Sequence, residues 1–101
     1  MAEYDTITCY SVKGDKLWDF KDVSVIRCPI GIAVDNSSNV FVASCKNNRV
    51  VLLSPDGKRC RTLLTVKDGM NQPYALHINR SKNQLLVGNL RAHGSVFLFD
   101  L

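Results

Sequence analysis

The chain has 101 residues, 46% of them hydrophobic, with a net charge of +4 and four cysteines. This apolar content excludes a disordered tail, and no apolar run approaches the roughly 20 residues that a bilayer-spanning helix needs, so no membrane partner is expected. The opening MAEYDTITCY lacks the basic start and apolar core of a secretory signal, which points to a cytoplasmic protein.

The first segment, Ile7 to Phe20 (ITCYSVKGDKLWDF), reads as two strands around a turn at Gly14. Pro29 then opens a second segment. GIAVD (Gly31 to Asp35) is a strand ending in a turn former, NSSN (36–39) is a turn, and VFVAS (Val40 to Ser44) is the next strand. After a polar loop comes NRVVLL (Asn48 to Leu53), then a Pro-Asp-Gly turn at Gly57 and a fourth strand. From Pro73 the same order returns: ALHIN (Ala75 to Asn79), RSKN (80–83), LLVGN (Leu85 to Asn89) and GSVFLF (Gly94 to Phe99).

Pro29 and Pro73 are 44 residues apart, and Gly14 and Gly57 are 43 apart. Four short strands in a period of roughly 40–50 residues are the signature of a β-propeller blade. The long 3.6-residue periodicity of helical repeats is absent, and the β-branched and aromatic content favours strands. The expected fold is all-β: a partial propeller of four-stranded antiparallel blades. Residues 1–26 would supply the last two strands of one blade, 27–68 one complete blade, and 69–101 the first three strands of the next. A blade buries its faces against its neighbours. Such a chain is therefore expected to be a fragment, a truncated product or one part of an oligomer, completed by self-association or by further blades.

The central unit resembles the NHL repeat, as found in the C-terminal propeller of tripartite-motif proteins. Pro29, Gly31, Ile32, Ala33, Val34 and Asp35 match that family's opening motif. Asn39 to Ala43 match its second strand, and Arg49 and Val50 its third. Ser44 stands where the family usually carries Asp, and Ser38 where it carries Gly. The last copy is looser, with Ala75, Asn79 and Ser95 in place of Gly, Asp and Arg. Trp18-Asp19 is similar to a WD40 signature, but the Gly-His pair of that repeat is missing and Trp18 lies after the Gly turn. The NHL resemblance implies a six-bladed propeller that binds proteins or single-stranded RNA. The RING, B-box and coiled-coil segments of the tripartite-motif family have no counterpart in these residues.

The resemblance places the loops between second and third strands, and between blades, on one binding face. In this sequence they hold Arg27, Lys46, Asn47, Asn48, Tyr74, Arg91 and His93. Arg27, Lys46 and Arg91 are suited to phosphate contacts, Tyr74 to stacking on a base, and Asn47 and Asn48 to base edges. Residues 27–101 carry ten bases against four acids, which would favour an acidic partner. Pro29, Gly31, Asp35, Arg49, Gly57 and Pro73 are read as framework, with Arg49 bracing its blade.

No cofactor, metal or catalytic site is expected. The cysteines lie 19, 17 and 15 residues apart with no Cys-x-x-Cys pair, so neither a zinc site nor a disulfide framework is indicated. Some propellers of this kind are lyases or lactonases with a metal held by several blades. Here only His77 and His93 are on offer, without a Ser-His-Asp order, a phosphate loop or H-E-x-x-H. The sequence therefore reads as a non-catalytic module that binds a protein partner in a ubiquitin-ligase setting, with single-stranded RNA as the rival ligand.

Overall fold

The computed structural model describes residues 5–90 and 95–101. They form three antiparallel sheets, with a short 3-10 turn at Val66–Asp68. The first sheet pairs β1 (Thr6–Tyr10) with β2 (Lys16–Lys21). The second runs β3 (Pro29–Val34), β4 (Val40–Ser44), β5 (Arg49–Leu53) and β6 (Cys60–Leu64). The third joins β7 (Pro73–Asn79), β8 (Gln84–Asn89) and β9 (Val96–Asp100). Every neighbour in each sheet is also its neighbour in sequence, as expected of a meander built from short turns. The architecture is that of a partial β-propeller.

Strand alternation sends the apolar side chains of the second sheet in two directions. Phe41, Val50 and Leu64 turn towards the third sheet and bury against Ile78, Leu85 and Val87. Val42, Val51 and Leu53 turn the other way and meet Ile7, Trp18 and Phe20 of the first sheet. Both cores are thus interfaces between sheets. Each is closed by one residue of the connection between sheets, three positions before the proline. Ile26 is 0% exposed and Met70 is 1% exposed. Burying one such side chain is worth about 1.5–3 kcal/mol.

Each proline heads an inner strand, where its missing N–H costs no ladder bond. Directly after it the register slips, between Pro29 and Gly31 and again between Pro73 and Ala75. Ile30 and Tyr74 are therefore equivalent bulge residues, and a bulge re-aims its side chain. At the opposite end, Asp35 organises the 36–39 turn. One of its oxygens accepts from the N–H groups of Ser37 and Asn39, each at 2.9 Å. The other accepts from Asn39 Nδ2 at 3.0 Å. Burial pushes the Asp35 carboxyl up, but these bonds and the nearby Arg80 guanidinium outweigh it and hold it below its ordinary range. Arg80 also donates to the Val34 carbonyl at 3.1 Å, tying the third sheet to the second.

Two glycines serve different needs. Gly14 has φ +92 and open space around it, so it answers a turn conformation alone. At Gly31 a Cβ would stand 2.3 Å from the Tyr74 carbonyl oxygen, so it answers the close approach of β3 and β7. Gly14→Asn should therefore be nearly neutral, because Asn tolerates a left-handed backbone. Gly31→Asn should cost on the order of 1–3 kcal/mol by overpacking. The comparison is read from urea midpoints, and equal losses at the two positions would refute it. Acid titration gives a second check. A carboxyl held low in the folded state stabilises above its unfolded value of about 4 and loses that contribution as pH falls through the folded value. Asp35→Asn should flatten the fall in stability below about pH 4, measured by circular dichroism.

Candidate functional site

The connection before β3 and the β4–β5 turn meet at the junction of the first two sheets. Ser44, fully buried at the end of β4, holds them together. Its hydroxyl accepts from the Arg27 N–H at 2.7 Å and donates to Asn47 Oδ1, with the Arg27 carbonyl at 3.2 Å. Asn47 Nδ2 in turn donates to the Val25 carbonyl at 3.0 Å. In the third sheet one residue does both tasks. Asn89 Oδ1 accepts from the Asn71 N–H at 3.1 Å, and its Nδ2 donates to the Gly69 carbonyl at 2.8 Å. Arg27 and Asn71 lie two residues before their prolines; Val25 and Gly69 lie four before. Ser44 and Asn47 together reproduce the reach of one asparagine.

A second set of bonds crosses from sheet to sheet. The N–H of Cys28, just before Pro29, donates to Asp5 Oδ1 at 2.9 Å. The N–H of Gln72, just before Pro73, donates to Asn48 Oδ1 at 2.8 Å. Cys28 (φ 54), Gln72 (φ 52) and Asn48 (φ 58) all have left-handed backbones. Arg49 Nη1 reaches the Ser24 carbonyl at 3.1 Å, a contact that braces the connection before β3. Hydrogen bonds from Ser24 hold the Asp22 carboxyl low in the same connection.

The expected binding residues therefore divide. Arg27 and Lys46 are exposed and stand opposite each other, with the Lys46 N–H donating to the Arg27 carbonyl at 3.1 Å. Neither makes an ion pair among the described residues. Asn47 and Asn48 lie beside them, but their amide oxygens are committed to the framework, as is one Asn47 amide N–H. Tyr74 is not brought to this cluster. Its bulge lays the ring near Gly88 in a shallow recess with Leu86 and Val96, on the outer flank of the third sheet. Arg91 and His93 lie outside the described residues.

Two features were missed by sequence reasoning. Ser44 and Asn89 read as strand residues in the sequence, where only their matching places at the ends of β4 and β8 signal a shared role. An open groove of about 690 Å³ runs between the inner strands β3 and β7, lined by Ile32, Val34, Leu76, His77 and Arg80 among others. It places His77, but among the described residues no three His, Cys, Asp or Glu side chains gather to hold a metal.

No protein-family model and no curated protein matches the chain. Solved structures do. A streptogramin B lyase superposes with a TM-score of 0.70 at 18% identity, over 99% of this chain and 35% of that one. A catalytically inactive variant of virginiamycin B lyase from Staphylococcus aureus, solved with quinupristin, gives 0.68 at 17% identity, over 99% of this chain and 36% of that one. The chain spans about a third of the length of the lyases it matches, and at these identities the likeness carries the fold alone. It corrects one expectation. The chain was read as non-catalytic, yet solved structures that share this architecture are enzymes, so the fold gives no ground for that exclusion.

Removing the buried amide at Asn89 should expose how much the framework depends on it. Asn89→Ala leaves the Asn71 N–H and the Gly69 carbonyl unpaired, which should cost about 2–4 kcal/mol in chemical denaturation. Asn89→Asp keeps the acceptor but sets a buried carboxylate against the Gly69 carbonyl, so it should be no more stable than Asn89→Ala at neutral pH; native stability would show that the amide donor contributes nothing.

Proposed function

We propose that the chain is a recognition segment of a β-propeller whose loop face docks an acidic stretch of a protein partner. The tripartite-motif resemblance adds the context: the partner would be brought to a ubiquitin ligase by the complete propeller. The reading also includes further blades, or a second copy, covering the open flank of the third sheet.

What carries the reading is the Arg27–Lys46 pair. Two exposed cations stand on residues joined by a main-chain hydrogen bond, with no ion pair among the described residues, and a carboxylate-bearing segment neutralises both. The chemistry that base recognition needs is less available. The oxygens of Asn47 and Asn48 already bond the framework, and Tyr74 lies on another flank. Protein is therefore preferred to RNA as the ligand.

The test is fluorescence anisotropy with a labelled glutamate-rich peptide and a labelled mixed-sequence single-stranded RNA, at low salt. The Arg27→Glu/Lys46→Glu double variant should weaken peptide binding on the order of tenfold, since each exposed charge pair is worth up to ~1 kcal/mol and reversal turns attraction into repulsion. Unchanged peptide affinity in the variant sinks the proposal. Tighter binding of RNA than of peptide, with log K falling about 0.7 per phosphate contact as log salt rises, transfers the site to RNA.

A further inference from the structure

The cysteines at positions 28 and 45 fall on facing segments. The Cys45 N–H donates to the Cys28 carbonyl at 3.3 Å, just outside the Pro29–Ser44 pair at which the β3–β4 ladder begins. That bond sets the two backbones side by side, as a disulfide requires, since it bridges Cα atoms only roughly 4.4–6.8 Å apart. The third sheet makes the same main-chain bond, from the Leu90 N–H to the Gln72 carbonyl at 2.8 Å. There the side chains are a leucine and a glutamine. The fold thus repeats the backbone bond with different side chains, and at the first junction both are thiols.

All four cysteines are free, and their settings differ. Cys9 pairs across the ladder with Trp18, and Cys60 with Leu53. Neither faces another thiol in its ladder. Cys28 is exposed and Cys45 half-buried. Burial pushes the Cys45 thiol up, and the neighbouring Cys28 sulfur adds to the shift, as expected of two sulfurs that sense each other.

We propose that Cys28 and Cys45 form a reversible redox pair, oxidised by a hydroperoxide. The exposed Cys28 sulfur, as thiolate, attacks the peroxide. The O–O bond breaks, one oxygen passes to sulfur as the sulfenic acid, and with hydrogen peroxide the other leaves as water. The Cys45 sulfur, having given up its proton, attacks the Cys28 sulfur. The S–S bond forms, the S–O bond breaks, and the hydroxyl leaves with a proton as a second water. One peroxide accepts the two electrons and two protons that the thiols lose. A small dithiol reverses the reaction by exchange. The bridge would fasten the connection before β3 to the β4–β5 turn, between Arg27 and Lys46. The pairing itself does not depend on the ligand proposed for those cations.

The experiment treats the full chain with hydrogen peroxide in native buffer and in urea, blocks remaining thiols with iodoacetamide, and maps tryptic peptides by mass spectrometry. Cleavage after Arg27 and Lys46 places both cysteines in one peptide, Cys28–Lys46. In native buffer this peptide should appear lighter by two hydrogens, unalkylated, and restored by dithiothreitol. It should form on the order of tenfold faster than any other pairing. The Cys9→Ser/Cys60→Ser variant should behave alike, and Cys45→Ser should stop at a Cys28 sulfenic acid that a dimedone probe captures. The proposal is overturned if both thiols in native buffer remain open to iodoacetamide. It is equally overturned if they proceed to sulfonic acids without a bridge, or if the pairings match those in urea.

Discussion

The left-handed backbone before each strand-opening proline is the constraint on which the remaining geometry turns. Proline disfavours a helical residue ahead of it and offers no N–H of its own. The residue before it therefore has to present its N–H to something outside the strand. At Cys28 and Gln72 the positive φ aims that N–H at a side chain of the preceding sheet, Asp5 in one case and Asn48 in the other. This hydrogen bond sets where one sheet begins relative to the last. The fully buried Ile26 and Met70 sit two residues upstream of it. They fill the wedge between sheets only because the chain enters at that angle. Non-glycine residues in the left-handed region cost energy. The same cost is accepted at the same place in both copies, which identifies it as part of the repeat.

Much of this was legible in the sequence because a repeat reports on itself. The prolines at 29 and 73 and the glycines at 14 and 57 set the period, and the β-rich run Val40 to Ser44 is the strand that the structure has. The polar framework was less legible for a physical reason. A buried polar side chain is defined by its partner, and those partners lie far off in sequence: Asn48 serves Gln72, and Asn47 serves Val25. Read one at a time, both look like loop residues ready for a ligand. Ser44 hid its role more fully, because its work is divided with Asn47, whereas Asn89 does the equivalent work alone. Tyr74 was misplaced by a bulge, a backbone event without a sequence signature beyond the proline before it.

The two flanks of the chain differ, and the difference follows from the register. Leu86, Val96 and Leu98 on the third sheet occupy the positions of Phe41, Val50 and Leu52 on the second. The latter are packed between sheets. The former are 38%, 63% and 59% exposed. That flank has the chemistry of an inter-sheet surface. The outer flank of the first sheet is polar by comparison. There Thr8 donates to Asp19 at 2.7 Å, and Asp19 also pairs with Lys16 at 2.6 Å. Val51 and Leu53, which occupy the places of Thr8 and Tyr10, are both 0% exposed. On this flank Thr8 bonds across to Asp19, whereas Tyr10 is 62% exposed.

The inner strands sharpen this asymmetry. Ile32 and Val34 of β3 hold the places that Leu76 and Ile78 hold in β7. Leu76 and Ile78 pack against the second sheet, whereas Ile32 and Val34 are 54% and 40% exposed, on the side where the first sheet supplies only its two described strands. Part of the exposed apolar surface is therefore ordered by the repeat. It lies where the repeat would set an inner strand beside β3 and a sheet beyond β9. Each position follows from a residue-for-residue match to an interface already formed within the chain. The loop face follows a different rule. Arg27 and Lys46 join the framework through their main chains, and among the described residues no ion pair or hydrogen bond uses their charged side chains. Packing explains why the apolar residues are where they are. It leaves the two cations unexplained, and a residue that the fold does not require is the better place to look for what the molecule binds.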